Sequence, residues 1–284
     1  MIDFSHIPSQ QDGVKIYYAK GTTTWQTWEK PRGCSHIWTM CIGGAAGGGG
    51  AGVLTGGAGG GSGAITVATF AALVLPDVLY IQPGVGGSGA KGIVGNGPVA
   101  GGAGSRSIIS VTTSGSNFMG YISTSGTAAA TGATAETVAT LSSAGLLCLG
   151  TYNSIAGRAG AAVGLDVTPF TSTLTCGGAG GASSNFNAGG SILSVDLKGS
   201  FITPLIAGGT AGGLSPVGAG NPGIFSWKPL FGLGGAGGGG SQSTIGGTGG
   251  DGAYGCGGGG GGVGGASGGT GGKGGDGLVI IVSF

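Results

Sequence analysis

The sequence is poor in charged residues. Only 7% of its 284 residues are Asp, Glu, Lys or Arg, and ten basic and nine acidic side chains leave a formal net charge of +1. No basic stripe is present to neutralise a row of phosphates, so we expect no nucleic-acid partner. The low charge and the hydrophobic content of 39% also argue against a disordered chain.

The sequence also lacks the residue patterns of catalytic and metal sites. The five cysteines are odd in number and contain no CxxC, so they indicate neither a disulfide framework nor a zinc site, and we interpret them as buried thiols. Only two histidines occur, and His36 has no nucleophile or carboxylate at a spacing that suggests a triad. Asp251 and Asp276 each follow a glycine pair, but the nonapeptide repetition of calcium-binding β-rolls is absent. We therefore expect no enzyme activity, no metal and no cofactor.

Targeting signals and long apolar runs are missing as well. The first residues, MIDFSHIPSQ, lack the basic and apolar regions of a secretory signal. The longest apolar stretch, FAALVLP from Phe70, is too short to span a bilayer. These features predict a chain that begins in a cytoplasm.

Glycine is what the sequence has in abundance, with 77 of 284 residues. Glycine-rich runs occupy roughly 43–63, 84–104, 177–190, 207–223 and 232–277. β-prone pieces precede and separate them and are predicted to be strands; they begin at Val14, His36, Ala64, Val78, Ser107, Phe118, Ser191 and Leu278. Helix signals are weak, and the segment from Thr134 to Gly150 fits a short helix or a strand.

The glycine runs repeat every three residues. The order from Gly261 is GGV, GGA, an inserted Ser267, then GGT, GGK and GGD. Three residues per turn is the period of the polyproline II helix, which has no internal hydrogen bonds. Its backbone groups must therefore find partners in neighbouring segments, and glycine permits the close approach that this requires.

The length of the last run predicts that it folds back on itself. As one rod, residues 232–277 would reach ~140 Å at ~3.1 Å per residue, whereas a compact domain of this size is only ~50 Å across. Bends are expected near Ser241 and Ala253, with about 15 residues per pass. The predicted fold is all-β: strands that clamp a bundle of glycine-rich polyproline or polyglycine II helices, with little or no α-helix.

The change in composition divides the chain into an N-terminal β segment, 1–42, and a glycine-rich domain, 43–284. The N-terminal segment is a candidate for docking or oligomer contacts. Because apolar residues are sparse outside the strands, we also expect a homo-oligomer in which sister subunits supply further burial.

Aromatic residues next to small polar residues are the candidates for recognition. Such residues are typical of adaptable binding loops, and they define three candidate contact regions, 113–126, 150–159 and 182–188. The candidate receptor-binding residues are Asn117, Phe118, Tyr121, Tyr152, Asn153 and Phe186.

The order of these pieces resembles the glycine-rich domains of bacteriophage tail-fibre and adhesin-like proteins. The similarity rests on TTTWQTWEKPRGCSHIWTMCIGGAAGGGGAG from Thr22, on GAITVATFAALVLPDVLYIQPGVGGSGAKG from Gly63, and on GAYGCGGGGGGVGG and GGKGGDGLVIIVSF at the end. It covers 35–104 and 232–284. The resemblance implies a virion structural protein assembled in the host cytoplasm, in which a glycine helix bundle presents loops to the bacterial surface.

The expected function is that of a tail-fibre or tail-tip component for host attachment. Its expected partners are other virion proteins and a bacterial receptor, either a polysaccharide or an outer-membrane protein. One alternative is a capsid fibre, a decoration protein or another purely architectural virion protein. Another is a secreted ice-binding protein, although the secretion signal, disulfides and regular flat face expected of such a protein are missing.

Overall fold

The computed structural model describes residues 13–113, 121–123, 148–152, 155–169, 174–196, 202–212, 217–228 and 230–284. These residues form strands, extended glycine-rich segments and turns, with one turn of 3₁₀ helix at Ala72–Val74 and no α-helix. The strands are β1 Val14–Tyr18, β2 Gln26–Glu29, β3 His36–Ile42, β4 Ile65–Ala71, β5 Val78–Gln82, β6 Ser107–Ser110, β7 Tyr121–Ser123, β8 Cys148–Tyr152, β9 Phe225–Trp227, β10 Leu230–Gly232 and β11 Leu278–Ser283. The all-β prediction is confirmed. No helix in this part of the chain is long and apolar enough to cross a bilayer.

The larger sheet is antiparallel, with strand order β1-β11-β3-β4-β8. The last strand of the chain, β11, lies between β1 and β3, and Ile280 pairs with Ile16 on one side and with Met40 on the other. Strands from both sides of residue 42 therefore form one sheet, and the glycine-rich run begins directly after β3. Backbone hydrogen bonds therefore join β1, the first described strand, to β11, the last.

A second antiparallel sheet, with order β2-β5-β6-β7, packs against the first. The core between them contains Trp28, Leu79, Ile81 and Ile109 from the smaller sheet. The larger sheet contributes Ile37, Cys41, Ala68, Phe70, Val279 and Ile281 to the same core. The two sheets form a β-sandwich held together by apolar burial.

The other face of the larger sheet is covered too. Met40, Ile42, Ile65, Leu278 and Ile280 form a second apolar cluster, against which the antiparallel β9–β10 hairpin packs through Phe225 and Leu230. Alternate residues of β3 and β11 thus enter opposite cores. Burial on both faces explains why HIWTMCI and LVIIVS are nearly continuous apolar runs.

Most predicted strands are present, with two differences. The segment from Ser191 to Ile206 makes only isolated bridges in its described part, because it belongs to the glycine-rich bundle and pairs at intervals along its length. The β9–β10 hairpin is a strand pair that the sequence reading missed, since its two strands have only three residues each. Strand β8 lies at the end of the segment that fitted either a helix or a strand; residues 134–147 are outside the described residues.

The glycine-rich segments extend from one end of the sandwich. One leaves β3 at Gly43 and returns to β4 at Ala64, and a second connects β5 to β6 through residues 83–106. These segments pass outward, turn and come back, with about nine residues in each direction. At ~3.1 Å per residue, a pass of this length extends the bundle about 30 Å beyond the sandwich.

The segment 256–264, here called the central segment, shows how the bundle is held together. Its backbone N–H groups donate in turn to three neighbouring segments. The donations run from Gly257 and Gly260 to Cys176 and Ala179, from Gly258 and Gly261 to Ala46 and Gly49, and from Gly259 and Gly262 to Gly250 and Gly247, all between 2.8 and 3.1 Å. The first two neighbours run parallel to the central segment and the third antiparallel.

Three further segments donate to the carbonyls of the central segment. Gly60 and Gly57 donate to Gly258 and Gly261, Gly235 and Gly238 donate to Gly257 and Gly260, and Gly272 and Gly269 donate to Gly259 and Gly262, between 2.8 and 2.9 Å. The central segment therefore has six hydrogen-bonded neighbours, and every residue in it is buried. The three-residue period of donors is the one expected for the predicted polyproline II geometry.

The last glycine-rich run makes four passes, 233–241, 245–253, 256–264 and 267–277. Turns at Gln242–Thr244 and Tyr254–Gly255 agree with the two predicted bends. A third turn at Gly265–Ala266 was not predicted, and the expected pass length of about 15 residues was wrong. The reason is local: the inserted Ser267 breaks the triplet register, and bridges from Ser241 to Gly264 and from Ile245 to Ser267 align this turn with the turn at 242–244.

Candidate functional site

The turns at the outer end of the bundle form one continuous surface, here called the distal face. Among the described residues it consists of 53–55, 93–97, 161–163, 183–187, 242–245 and 265–267. Hydrogen bonds at or beside these turns connect them: Val53 N–H to the Gly95 carbonyl (2.9 Å), Gly56 N–H to Ser183 Oγ (2.8 Å), Ser183 N–H to the Ala161 carbonyl (2.6 Å), Gly240 N–H to the Asn187 carbonyl (3.0 Å), Gly246 N–H to the Ser267 carbonyl (3.0 Å) and Gly268 N–H to the Ile93 carbonyl (3.0 Å). The turns are therefore fixed relative to one another by hydrogen bonds, all but one of which join backbone groups.

The distal face exposes large apolar side chains. Leu54, Val94, Val163, Phe186 and Ile245 are each between 59% and 72% exposed. None of the residues in the six turns is charged. Large apolar side chains exposed on adjoining turns make the distal face a candidate contact surface.

The candidate receptor-binding residues do not come together in one place. Phe186 lies on the distal face, in the predicted contact region 182–188. Tyr121 begins β7, where it pairs with Ile109, and Tyr152 ends β8, where it pairs with Ile65. Both tyrosines thus belong to the sandwich, about one bundle length from Phe186. Asn117, Phe118 and Asn153 lie outside the described residues.

Two of the predicted contact regions contain strand residues. Residues 121–123 in the region 113–126, and residues 150–152 in the region 150–159, pair with neighbouring strands and are not loops. The alternation of polar and apolar residues in YIS and in CLGTY is compatible with either state, and pairing with β6 and β4 decides it.

Sequence reasoning missed Leu54, Val94, Val163 and Ile245 as surface candidates. A signal for them exists in the sequence: each is a large apolar residue at a point where the glycine triplets are interrupted. An interruption marks a turn, because a segment that keeps the triplet register continues straight.

A pocket lies on the side of the molecule, where the sandwich meets the bundle; it is called the junction pocket below. Its volume is about 300 Å³, and it is lined by Phe225, Asp251, Gly252, Ala253, Tyr254, Lys273, Gly274, Gly275 and Asp276. The Phe225 ring meets the Tyr254 ring edge to face at 5.4 Å between centroids, and the Trp227 ring at 4.9 Å. Tyr18 of β1 lies 5.8 Å from Tyr254.

The charged groups of the junction pocket are held by hydrogen bonds. Asp251 Oδ1 accepts from the backbone N–H of Lys273 at 2.7 Å. Asp276 Oδ1 accepts from the Gly86 N–H at 2.8 Å and forms an ion pair with Lys273 Nζ at 3.3 Å. Burial raises the pKa of Tyr254, and the nearby Tyr18 and Asp276 raise it further.

Elsewhere in the described residues, ionisable side chains form no recognisable reactive centre. No group of three or more His, Cys, Asp or Glu there is placed to hold a metal ion. His36 is exposed, with Nδ1 3.1 Å from Ser35 Oγ. Cys41, Cys176 and Cys256 are buried free thiols, and burial raises the pKa of Cys41 and Cys256.

The comparison with known families agrees with this architecture. A family model described as a glycine-rich domain matches residues 20–283. The chain belongs to this family. No curated protein matches it in sequence. The matched residues include the whole bundle and every described strand except β1.

Proposed function

We propose that this glycine-rich domain is a bacteriophage virion protein, a tail-fibre or tail-tip component that contacts the host surface through its distal face. The observation that carries the proposal is the set of exposed apolar side chains on contiguous turns at the outer end of the bundle. The resemblance of the sequence to phage tail-fibre and adhesin-like domains supplies the biological setting.

The bundle is suited to present such a surface. Its segments are fixed by backbone hydrogen bonds in several directions, so the turns are held without support from a large side-chain core. Substitution of exposed turn residues leaves those backbone bonds intact, because the bonds involve no side chain at Leu54, Val94 or Ile245. A rigid scaffold with tolerant turns is the usual arrangement of a binding surface.

The chemistry of the distal face indicates the kind of partner. Since its turns carry no formal charge, recognition there would rest on apolar contact and on hydrogen bonds from residues such as Asn96, Asn185 and Gln242. We propose an exposed segment of a bacterial surface protein as the partner. Because no ion pair contributes, binding is expected to change little between low and physiological salt.

Binding of the labelled, purified protein to a panel of Gram-negative and Gram-positive bacteria tests the proposal. The triple variant Leu54→Ser, Phe186→Ser, Ile245→Ser should lose at least about tenfold in affinity, because each side chain would bury its apolar surface in the contact. The matched control is Leu73→Ser, which changes a side chain 94% exposed at the opposite end of the sandwich and should bind as the parent does.

Immunogold labelling of the phage particle that contains the protein gives a second readout. Label at the tail is expected. Label confined to the capsid, together with no binding to any strain at saturating concentration, would favour the purely architectural role and contradict the attachment role.

A further inference from the structure

The junction pocket combines an aromatic wall with a polar rim. Phe225 and Tyr254 form the wall, supported from behind by Trp227 and Tyr18. Asp251, Lys273 and Asp276 form the rim, and each occupies the outward third position of a glycine triplet. Two neighbouring glycine-rich passes and the β9–β10 hairpin thus bring apolar and hydrogen-bonding groups to one place.

We propose that the junction pocket is a saccharide-binding site that takes a single neutral pyranose ring. A pyranose has an apolar C–H face, which would pack on the aromatic wall. It also has a rim of hydroxyl groups, which would donate to the carboxylates and accept from Lys273 Nζ. Few precisely placed polar groups beside an aromatic surface are the general pattern of small-ligand pockets.

The carboxylates are prepared for this role. Oδ1 of Asp251 and Oδ1 of Asp276 each accept a backbone N–H, which fixes the orientation of both groups before a ligand arrives. Asp251 is exposed to solvent, and its second oxygen has the lone pairs to accept from a ligand hydroxyl. A preoriented acceptor loses less freedom on binding than a mobile one.

Size and charge narrow the ligand class. A volume of about 300 Å³ lies at the small end of ligand pockets and suits one sugar ring. Two carboxylates and one ammonium leave one excess negative charge, which disfavours uronic acids, sialic acids and phosphorylated sugars. A metal ion is a poorer fit, because Lys273 is paired with Asp276 and no group of three His, Cys, Asp or Glu among the described residues is placed to hold one.

This site goes beyond the attachment role proposed above, because it is separate from the distal face. Asp251 lies seven residues after the turn at 242–244. At ~3.1 Å per residue, the pocket is therefore about 20 Å from the distal face along the bundle. If the junction pocket binds no sugar, the attachment role proposed for the distal face is unaffected. The distal-face triple variant should bind sugar as the parent protein does, so the two proposals are tested separately.

The proposal is tested by titrating the full chain with methyl glycosides of glucose, galactose and mannose and with N-acetylglucosamine. Saturation-transfer NMR detects the binding. At least one of these neutral sugars should bind, and glucuronic acid should bind at least about tenfold more weakly. The variant Asp251→Ala should lower the affinity at least about tenfold, and Phe225→Leu should weaken the transfer signal from the C–H face.

Thr248→Ala is the matched control, because Thr248 is the outward residue one triplet before Asp251 and lies outside the pocket. Its sugar affinity should equal that of the parent, and the melting temperatures of all variants verify folding. Failure of every neutral sugar to bind the folded parent protein would overturn the proposal. So would binding that is indifferent to Asp251→Ala, or glucuronic acid binding as well as the neutral sugars.

Discussion

At the scale of the residue, the position of a glycine in the bundle decides whether it is needed. Gly260 lies in the central segment, and a Cβ built on it would collide with the carbonyl of Gly57 and crowd Ala58. Gly97 lies in a turn of the distal face, and a Cβ there would meet nothing within 4 Å. The same residue type is thus required at one position by close packing and free to vary at the other.

This contrast predicts different costs for one substitution. Gly260→Ala should lower the free energy of unfolding by about 1–3 kcal/mol, because the backbone at Gly57 and Ala58 must move away to admit the methyl group. Gly97→Ala should change it by less than about 0.5 kcal/mol. Urea unfolding of both variants provides the measurement, and equal midpoints would contradict the packing described for the central segment.

The buried ionisable groups predict how stability depends on pH. Burial raises the pKa of the Cys41 thiol well above its usual value and the pKa of Tyr17 to about 12. Both groups are therefore protonated in the folded state at pH values where the unfolded state already ionises, from about pH 8.5 for Cys and about pH 10 for Tyr. Their contribution to stability is complete below those values and is lost as pH rises through them.

The melting temperature should accordingly be level from pH 6 to 8 and fall by pH 10.5. In the double variant Cys41→Ala, Tyr17→Phe, the fall should be smaller, although the variant starts from a lower stability because Cys41 is a core residue. Differential scanning calorimetry at each pH makes the comparison. A double variant that loses as much as the parent would show that other groups dominate the alkaline transition.

At the scale of the element, glycine-rich segments come in two kinds. In the last pass, Gly268, Gly269, Gly271, Gly272, Gly274 and Gly275 are buried, while Thr270, Lys273 and Asp276 face outward. The central segment, in contrast, contains six consecutive glycines and no outward face. A GGx triplet with a polar third residue therefore marks a peripheral pass, whereas an unbroken glycine run, or a triplet that ends in alanine such as the one at Ala179, is enclosed.

The turn between these two kinds of segment has its own requirement. Gly255 adopts φ of +67°, and a Cβ there would collide with Ile42 of β3. A left-handed conformation and close packing on the sandwich both exclude larger residues. This turn directs the chain from an outer pass into the middle of the bundle.

Strand β11 lies in the larger sheet between β1 and β3. Substitutions of its residues that face the core between the two sheets should therefore lower the free energy of unfolding most. Val279 is fully buried in the core between the sheets, whereas Val282 is only half-buried on the opposite face. We expect Val279→Ala to cost about 2 kcal/mol or more and Val282→Ala clearly less. Thermal and urea unfolding of the two variants test this, and a larger loss for Val282→Ala would contradict the two-core description.

At the scale of the whole molecule, two parts that are stabilised in different ways are joined end to end. The sandwich is held by apolar side chains, and the bundle is held largely by backbone hydrogen bonds, with a small apolar cluster around Val167, Ile192, Phe231 and Leu233. Each glycine is costly to order. Because the strands fix the ends of many passes, less loss of backbone conformational entropy has to be offset by hydrogen bonds within the bundle.

The exposed edge of the larger sheet bears on the predicted homo-oligomer. Strand β1 is an edge strand, and its Val14, Ile16 and Tyr18 are between 36% and 42% exposed. An edge strand with exposed apolar side chains can add a strand or apolar area from a second copy. Light scattering of the native protein should give the mass of two or more chains, and Ile16→Lys should lower that mass. A parent protein that is monomeric at micromolar concentration would contradict the prediction.

Much of the architecture could be predicted from the sequence, because it rests on local pattern. Apolar runs such as those at His36 and Leu278 indicate buried strands wherever they pair, and the triplet repeat after Gly246 implies segments that must bond to neighbours. The short hairpin at Phe225 and the third bend at Gly265 were missed, since three-residue strands and single insertions carry little local signal.

What the sequence by itself determined is the kind of structure: β-strands, glycine-rich segments of period three, and their folding back within a limited diameter. What only the tertiary structure decided is adjacency. Leu54, Phe186 and Ile245 share one face, and Asp251 and Asp276 share one pocket, because hydrogen bonds between segments far apart in sequence set their alignment. Glycine carries no side chain to specify a neighbour, so the order of packing in the bundle emerges only when the strands fix where each segment begins.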